Sequence, residues 1–282
     1  MFDSGVGGLT VLRECIAAMP AEDVVYFGDT AWFPYGERDP AEVRARALAI
    51  GAWLAAQGVK LVAVACNAAT AVALPGLQRA LSQPVIGPIR PDVHAAVRAT
   101  RNRRIGVLAT AATIASGAYP RMAQAYDAGV RVTGVACPGL AAAVQNGGPL
   151  DAAVADLVAR CAAPLREAGV DTAILGCTHF PAVAPLVRDA LPGVTLVEGG
   201  AEMAGEVADA LARRGVLRPA GRGAGTRRFG CSGGPGGFRA LGARGRGERV
   251  PAAGAAGTGN TYLAVAHAAP LLERGDINRI IL

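Results

Sequence analysis

Short apolar runs alternate along this chain with longer stretches whose apolar positions recur every three or four residues. The first pattern suits buried strands and the second suits one-sided helices. Val24-Val25-Tyr26-Phe27 predicts a strand ending at Gly28-Asp29-Thr30. Asp39-Pro40-Ala41-Glu42 predicts a helix start: Asp39 can cap, Pro40 suits the first turn and Glu42 completes a capping box. Val43, Ala47, Ile50 and Leu54 then follow at helical spacing. Leu61 to Ala65 forms the next apolar run and ends at Cys66-Asn67. Pro84 to Pro88 predicts a short strand leading to a proline-rich crossing near 88–91, where a domain boundary is expected.

The second half repeats the alternation. Arg104 to Ala109 is a strand ending at Thr110-Ala111-Ala112-Thr113, and a helix carrying Tyr119 and Met122 should follow. Val130 to Pro138 is a strand and stop, and 150–168 reads as a helix. Thr172 to Gly176 runs into Cys177-Thr178-His179, followed by a helix through 183–191 and a strand at Val194 to Val197. Strands alternating with helices predict an α/β fold with parallel sheets. A weak internal repeat accompanies this. In each half a polar strand-end loop comes first (Asp3-Ser4-Gly5, then Thr110 to Thr113), and a strand-end thiol comes later. Stacked repeats would bring Cys66 and Cys177 to one cleft.

Beyond about 215 the pattern decays. Residues 219–257 are rich in Gly, Arg, Ala and Pro, and a loose, solvated segment is expected. Positions 211–250 carry ten arginines against one acid, Glu248, so the net charge of +6 reflects a basic tail on a mildly acidic body. Nucleic-acid binding by this tail is not expected, because only Phe229 and Phe238 could stack on bases.

Composition narrows the chemistry. At 282 residues and 52% hydrophobic, the chain can build real cores. No apolar run reaches membrane-spanning length, and the N-terminus lacks a signal pattern, so a cytoplasmic protein without membrane partners is expected. The six cysteines contain no C-x-x-C and read as reduced thiols. With three histidines and one close Cys/His pair, Cys177 and His179, a metal site is not expected. Lys60 is the only lysine and precedes a strand, which argues against a pyridoxal-phosphate Schiff base.

The two strand-end thiols are the strongest chemical signal. Each sits where open α/β sheets build sites and precedes a helix-start pattern, so helix dipoles should lower both thiol pKa values. His179 can exchange a proton with Cys177, and Asp3 is the polar candidate in the first half. Facing thiols can act as two bases, one removing a proton from carbon while the other delivers one from the opposite side. Ser4, Asn67, Thr70, Thr178 and the Gly5-Val6-Gly7-Gly8 loop suit a carboxylate, which suggests a small amino-acid or dicarboxylate substrate. Cys15, Cys137, Cys161, Cys231, His94 and His267 read as structural.

Taken together, F-D-S-G-V-G-G-L-T-V-L (2–12), Y-F-G-D-T-A-x-F-P-Y-G (26–36), V-A-C-N-A-A-T-A (64–71), A-T-x-x-T-x-x-S-G-A-Y (109–119), V-A-C-P (135–138) and I-L-G-C-T-H-F-P (174–181) resemble the cofactor-independent glutamate racemases. The resemblance covers roughly residues 2–240. It implies two pseudo-symmetric α/β domains with the site between them: 1–91 plus about 200–218, then 92–199, with 219–282 as an irregular tail. It implies no cofactor, glutamate as small-molecule substrate, and a role in supplying D-glutamate to peptidoglycan; a homodimer is left open. By position, Cys66 would act on D-glutamate with Asp3 assisting, and Cys177 on L-glutamate with His179 assisting. Ser4, Pro34, Tyr35, Gly36, Asn67 and Thr178 would hold substrate, with Thr113 nearby.

The chain departs from the family at several points. Ala68 replaces a threonine, Gln145 stands where a glutamate is common, and Glu198-Gly199 replaces an aspartate-serine pair. The family has residues before Phe2 that form the first strand, so Asp3 is expected to fray. Residues 254–261, with Asn260 at the lysine position of a P-loop, together with Tyr262 to His267 and Arg279 to Leu282, resemble the start of a PhoH-like ATPase; nucleotide binding is not expected. These departures leave impaired catalysis and a non-catalytic binding protein of racemase descent open. An aspartate or hydantoin racemase is a further alternative because the sequence does not settle the substrate side chain, although the long match at 26–36 favours glutamate.

Overall fold

The computed structural model describes residues 1–146, 150–221, 223–233 and 279–280. Its strands form two parallel arrays with the same internal order. In the first, β1 (Phe2–Asp3) pairs with β2 (Val24–Gly28). On the other flank of β1, Phe2 bridges Val64, just beyond β3 (Val62–Ala63), and β3 pairs with β4 (Val85–Ile86). The second array places β5 (Arg104–Ala109) between β6 (Arg131–Ala136) and β7 (Thr172–Gly176), with β8 (Thr195–Val197) outside β7. The orders β2-β1-β3-β4 and β6-β5-β7-β8 are therefore equivalent. In each, the strand order reverses beside the first strand, and that reversal opens a crevice at the carboxyl ends. The loops after β1, β3, β5 and β7 carry Ser4, Cys66, Thr110 and Cys177.

Asp3 does not fray. Phe2 and Asp3 are 0% exposed, and β1 has neighbours on both edges. Ala65 N donates to Phe2 O (2.9 Å) and Asp29 N donates to Asp3 O (2.9 Å). A strand hydrogen-bonded along both edges is held more firmly than its proximity to a terminus suggests.

The helices fill the faces. α1 (Leu9–Ala18), α2 (Pro40–Ala56) and α3 (Asn67–Ala80) cover the first array. Asp39 caps α2 by accepting from Ala41 N and Glu42 N, while Glu42 turns to Arg38 (3.7 Å). The expected proline-rich crossing is instead the start of α4 (Ile89–Ala99), with Pro91 in its first turn, where its missing N–H costs nothing. α5 (Ala111–Ala115), α6 (Ala118–Tyr126), α7 (Leu140–Gln145), α8 (Ala152–Glu167) and α9 (Ala184–Ala190) belong to the second half. α10 (Gly200–Arg213) returns to the first, packing Met203, Ala204, Val207 and Leu211 against Val11, Leu12 and Cys15 of α1. Burying each of the valine, leucine and methionine side chains among them contributes about 1.5–3 kcal/mol. Among the described residues, no helix is long and apolar enough to cross a membrane.

The expectation of an irregular segment beyond 219 is corrected at one place. Arg227–Cys231 forms β9, parallel to β2, and β10 (Arg279–Ile280) pairs antiparallel on its far side. A run that begins with two arginines shows no apolar alternation. Its strand form comes from pairing with Val24–Gly28, from Phe229 packing on Tyr26 (centroids 6.1 Å), and from Arg227 Nη2 donating to Pro20 O (3.0 Å). The P-loop-like stretch 254–261, His267 and Phe238 lie outside the described residues.

Candidate active site

The carboxyl ends of the two arrays meet at one cleft with about 280 Å³ of empty space, counting its open mouth. Of the residues singled out in the sequence, Ser4, Pro34, Tyr35, Gly36, Cys66, Asn67, Cys177, Thr178 and His179 line it. Asp3 lies beneath the lining and is fully buried. Thr113 also stands behind it. Thr110 lines the cleft in its place, with the two hydroxyls 3.0 Å apart. Thr70 is likewise turned away, its Oγ1 donating to Val64 O (3.4 Å). Phe33, Ala68, Ala141 and Gly176 complete the wall. The internal repeat contained a signal for Thr110, which follows β5 as Ser4 follows β1.

The two thiols differ in local setting. Cys66 is the N-cap of α3, and its sulfur accepts from Ala69 N (3.5 Å) and donates to Ser4 Oγ (3.7 Å). Cys177 follows β7 but precedes only a single 3₁₀ turn, Phe180–Val183, before α9. The expectation that both thiols feel an α-helix dipole therefore holds for Cys66 alone, because a macrodipole needs several aligned peptides. The expected lowering of the thiol pKa values is also overturned. Burial, with the nearby Asp3 carboxylate adding to it, pushes Cys66 up to about 12, outweighing the hydrogen bonds from Ala69 and Ser4. Cys177 is pushed up too, by burial first, then by Cys66 and Asp3, against the main-chain bonds of His179 and Phe180. Taking a thiolate out of water costs more than one helix end returns. Both sulfurs rest as thiols, and each needs a base.

Asp3 and His179 are the titratable groups near them. Gly5 N donates to Asp3 Oδ2 (2.9 Å), and Thr178 Oγ1 donates to Asp3 Oδ1 (3.2 Å) across the two halves. His179 Nδ1 lies 3.9 Å from Cys177 Sγ. His179 Nε2 lies 2.8 Å from Gln145 Oε1, which also accepts from Val6 N (3.3 Å). The Val6 N–H fixes that amide atom as oxygen, so Nε2 carries the histidine proton. Nδ1 is left with its lone pair facing the thiol. Burial pulls the His179 pKa below its ordinary value, although Asp3 opposes this, and the ring is neutral at pH 7. Gln145, standing where a glutamate is common, fixes which histidine nitrogen can accept a proton.

The opposite wall is pinned by a buried network. The Arg46 guanidinium grips Asp29 with two hydrogen bonds (Nη2 to Oδ1 2.6 Å, Nε to Oδ2 3.1 Å), and Tyr35 OH donates to the same carboxylate. The Arg46 guanidinium also lies 4.5 Å from the Trp32 ring centroid. This holds Pro34-Tyr35-Gly36 against the second half, where a methyl on Gly36 would come within 2.2 Å of Thr110 Cβ. Among the described residues, no lysine or arginine lines the cleft. An anionic group in the cleft must therefore be bound by hydroxyls, the Asn67 amide and main-chain N–H groups.

Comparison with known proteins places these features in a family. The Asp/Glu/Hydantoin racemase family model matches residues 7–207. A glutamate racemase of Mycobacterium ulcerans is 45% identical over 246 residues, covering 86% of this chain and 90% of that protein. The crystal structure of glutamate racemase isoform RacE1 from Bacillus anthracis superposes with a TM-score of 0.83 at 37% identity, covering 88% of this chain and 93% of the other. Glutamate racemase from Francisella tularensis, solved in complex with D-glutamate, gives a TM-score of 0.79 at 29% identity over 86% of this chain and 90% of its own.

Proposed function

The chain belongs to the Asp/Glu/Hydantoin racemase family, and from that premise we propose that it interconverts L- and D-glutamate by proton transfer between Cys66 and Cys177, without a cofactor, supplying D-glutamate for peptidoglycan. The observation that carries this reading is that two strand-end thiols line one cleft, with His179 Nδ1 3.9 Å from Cys177 and the Asp3 carboxylate close enough to act on both sulfurs.

For L-glutamate, the Cys177 proton passes to His179 Nδ1, and the thiolate then removes the α-proton. The Cys66 thiol delivers its proton to the opposite face, giving D-glutamate and a Cys66 thiolate beside Asp3. After release, the protonated His179 returns its proton to water and the Cys66 thiolate takes one up, which resets both thiols. From D-glutamate, Cys66 first passes its proton to Asp3 and acts as the base, while Cys177 delivers its proton to the opposite face. His179 suits this work because it is neutral and its Nδ1 is unprotonated, within reach of the sulfur. The substrate carboxylate would take hydrogen bonds from Ser4, Asn67 and Thr178 at the strand ends. At the position of the family's threonine, Ala68 lines the cleft with a methyl group. A lysine Schiff base has no place in this scheme, since Lys60 is committed to Glu22 (2.8 Å) and Val216 O (2.7 Å).

Circular dichroism of L-glutamate incubated with purified protein and no added cofactor tests the proposal. The ellipticity is expected to decay to zero as the racemate forms. A signal that persists at every enzyme concentration refutes it. Running aspartate and hydantoins beside glutamate, and following α-carbon deuterium exchange, fixes the substrate; the expected order has glutamate first.

The loop after β1 supplies a further prediction. A methyl on Gly7 would lie 2.4 Å from Thr178 Oγ1 and 2.6 Å from His179 Nδ1. Gly7→Ala therefore displaces the base from the thiol, and kcat/KM is expected to fall about 100-fold with the far-ultraviolet spectrum preserved. Steady-state rates in both directions check this.

A further inference from the structure

We propose that Asp92, Tyr119 and Asn67 form a buried, uncharged strut that fixes the relative positions of the two thiol-bearing strand ends, with Asp92 as its positioning residue. The inference rests on the two-thiol reading of the cleft.

The strut crosses the junction of the two halves. Tyr119 OH, on α6, donates to Asp92 Oδ2 on α4 (2.9 Å) and accepts from Asn67 Nδ2 on α3 (2.8 Å). Asn67 Nδ2 also lies 3.4 Å from Asp92 Oδ2. Asn67 directly follows Cys66 and lines the cleft. The same tyrosine hydroxyl abuts Gly176, which directly precedes Cys177; a methyl there would lie 3.1 Å from it. One hydroxyl thus bonds the residue after Cys66 and leaves no room for a side chain on the residue before Cys177. Its own place depends on Asp92, which is 1% exposed.

The surroundings of Asp92 leave no room for charge. Its Oδ1 has no hydrogen-bond partner. That oxygen packs against Gly199, where a Cβ would come within 2.5 Å of it. Gly199 takes a positive φ of 80°, so the close approach and the backbone both require glycine. From α10 the nearest charge is Glu202, of like sign. β7 and β8 present Ile174 and Val197. On α4 itself, Arg90 is paired with Glu206, and His94 stacks on Tyr126 (centroids 5.4 Å). A carboxylate here would hold one unsolvated oxygen with no cation to balance it, so the neutral acid is favoured. Burial accordingly lifts the Asp92 pKa to about 8, with Glu202 adding to the rise and the bonds from Tyr119 and Asn67 opposing it.

Two consequences follow from that charge state. Above about pH 8 the strut gains a negative charge behind a site that binds an anionic substrate, so KM should rise. The unfolded chain ionises Asp92 near its ordinary pKa of about 3.9, whereas the folded chain keeps it protonated. Folding therefore takes up a proton between those two values. The stability lost grows as pH rises toward 8 and then levels off.

The experiment compares wild type with Asp92→Ala, Asp92→Asn and Tyr119→Phe across about pH 5 to about 9.5, from above the unfolded-chain titration through that of the folded chain. Three quantities are read: glutamate racemisation, the rate of iodoacetamide alkylation at Cys66 and Cys177 without substrate, and the melting temperature. Asp92→Ala and Tyr119→Phe should each cut kcat/KM about tenfold and change the alkylation rates of both thiols. Asp92→Asn, isosteric and neutral, should restore most of kcat/KM, flatten the alkaline rise in KM, and melt progressively higher than wild type up to about pH 8. Wild-type rates and alkylation in Asp92→Ala, or an alkaline KM rise unchanged in Asp92→Asn, would overturn the strut. If wild type itself does not turn over glutamate, the functional reading fails, while alkylation and melting still decide the strut.

Discussion

Serine at position 66 or position 177 is expected to lower kcat/KM for glutamate racemisation by about 10³-fold or more, close to 4 kcal/mol of transition-state stabilisation. An alcohol is a far weaker acid than a thiol, and burial already raises both thiols above their ordinary values. The exchange of one atom should leave the fold intact, since Cys66 and Cys177 are buried among neighbours that tolerate a slightly smaller group. The loss must be equal in both directions. Enantiomers have an equilibrium constant of one, so the ratio of forward to reverse kcat/KM is fixed at one for any variant. The thiols can still be told apart by deuterium uptake at the α-carbon. With Cys66 replaced, Cys177 remains as the base for the L isomer only, and the reverse holds for the other variant. Steady-state circular dichroism with each pure enantiomer makes the measurement. Activity within tenfold of wild type in either variant would end the two-base account.

The second large effect is expected at His179. Its Nδ1 is the nearest base to Cys177 Sγ, at 3.9 Å, and its tautomer is set by Gln145 at 2.8 Å. Removing the ring in His179→Ala forces the thiol proton to leave through water, and kcat/KM should fall about 100-fold. The pH dependence carries the sharper signature. Burial lowers the His179 pKa, so the ring stays neutral, and able to accept a proton, below the ordinary histidine value of about 6.5. Wild-type activity should therefore persist into mildly acidic solution, with its acid limb displaced downward. In His179→Ala that limb should disappear from kcat/KM. An acid limb left in place in the variant would assign it to another group.

Much of the scaffold was legible in the chain. Strand runs and helix starts appear where apolar alternation and local chemistry agree, as at Val24–Gly28 and at Asp39, whose carboxylate caps α2. The thiols, Ser4, the 34–36 wall, Asn67, Thr178 and His179 were legible because each sits at a strand end or in a motif. The same reading failed where structure comes from partners distant in sequence. Arg227–Cys231 is a strand because β2 accepts it. Phe2 and Asp3 are fixed because Val24–Gly28 and Val64 flank them. Thr110 lines the cleft and Thr113 stands just behind it because Thr110 directly follows β5 whereas Thr113 lies within α5.

The sequence by itself determined which elements form, that they alternate, and that two thiols stand at carboxyl ends of strands, since these depend on neighbours within a few residues. Only the tertiary structure decided how those thiols are protonated. Their pKa values follow from how much water the two halves exclude together and from Asp3, Thr178, Gln145 and His179 meeting across that junction. It also decided that Asp92 faces Tyr119, Glu202 and Gly199, a conjunction of helices far apart in the chain. Desolvation and charge pairing act through space, so no local pattern of residues can encode them.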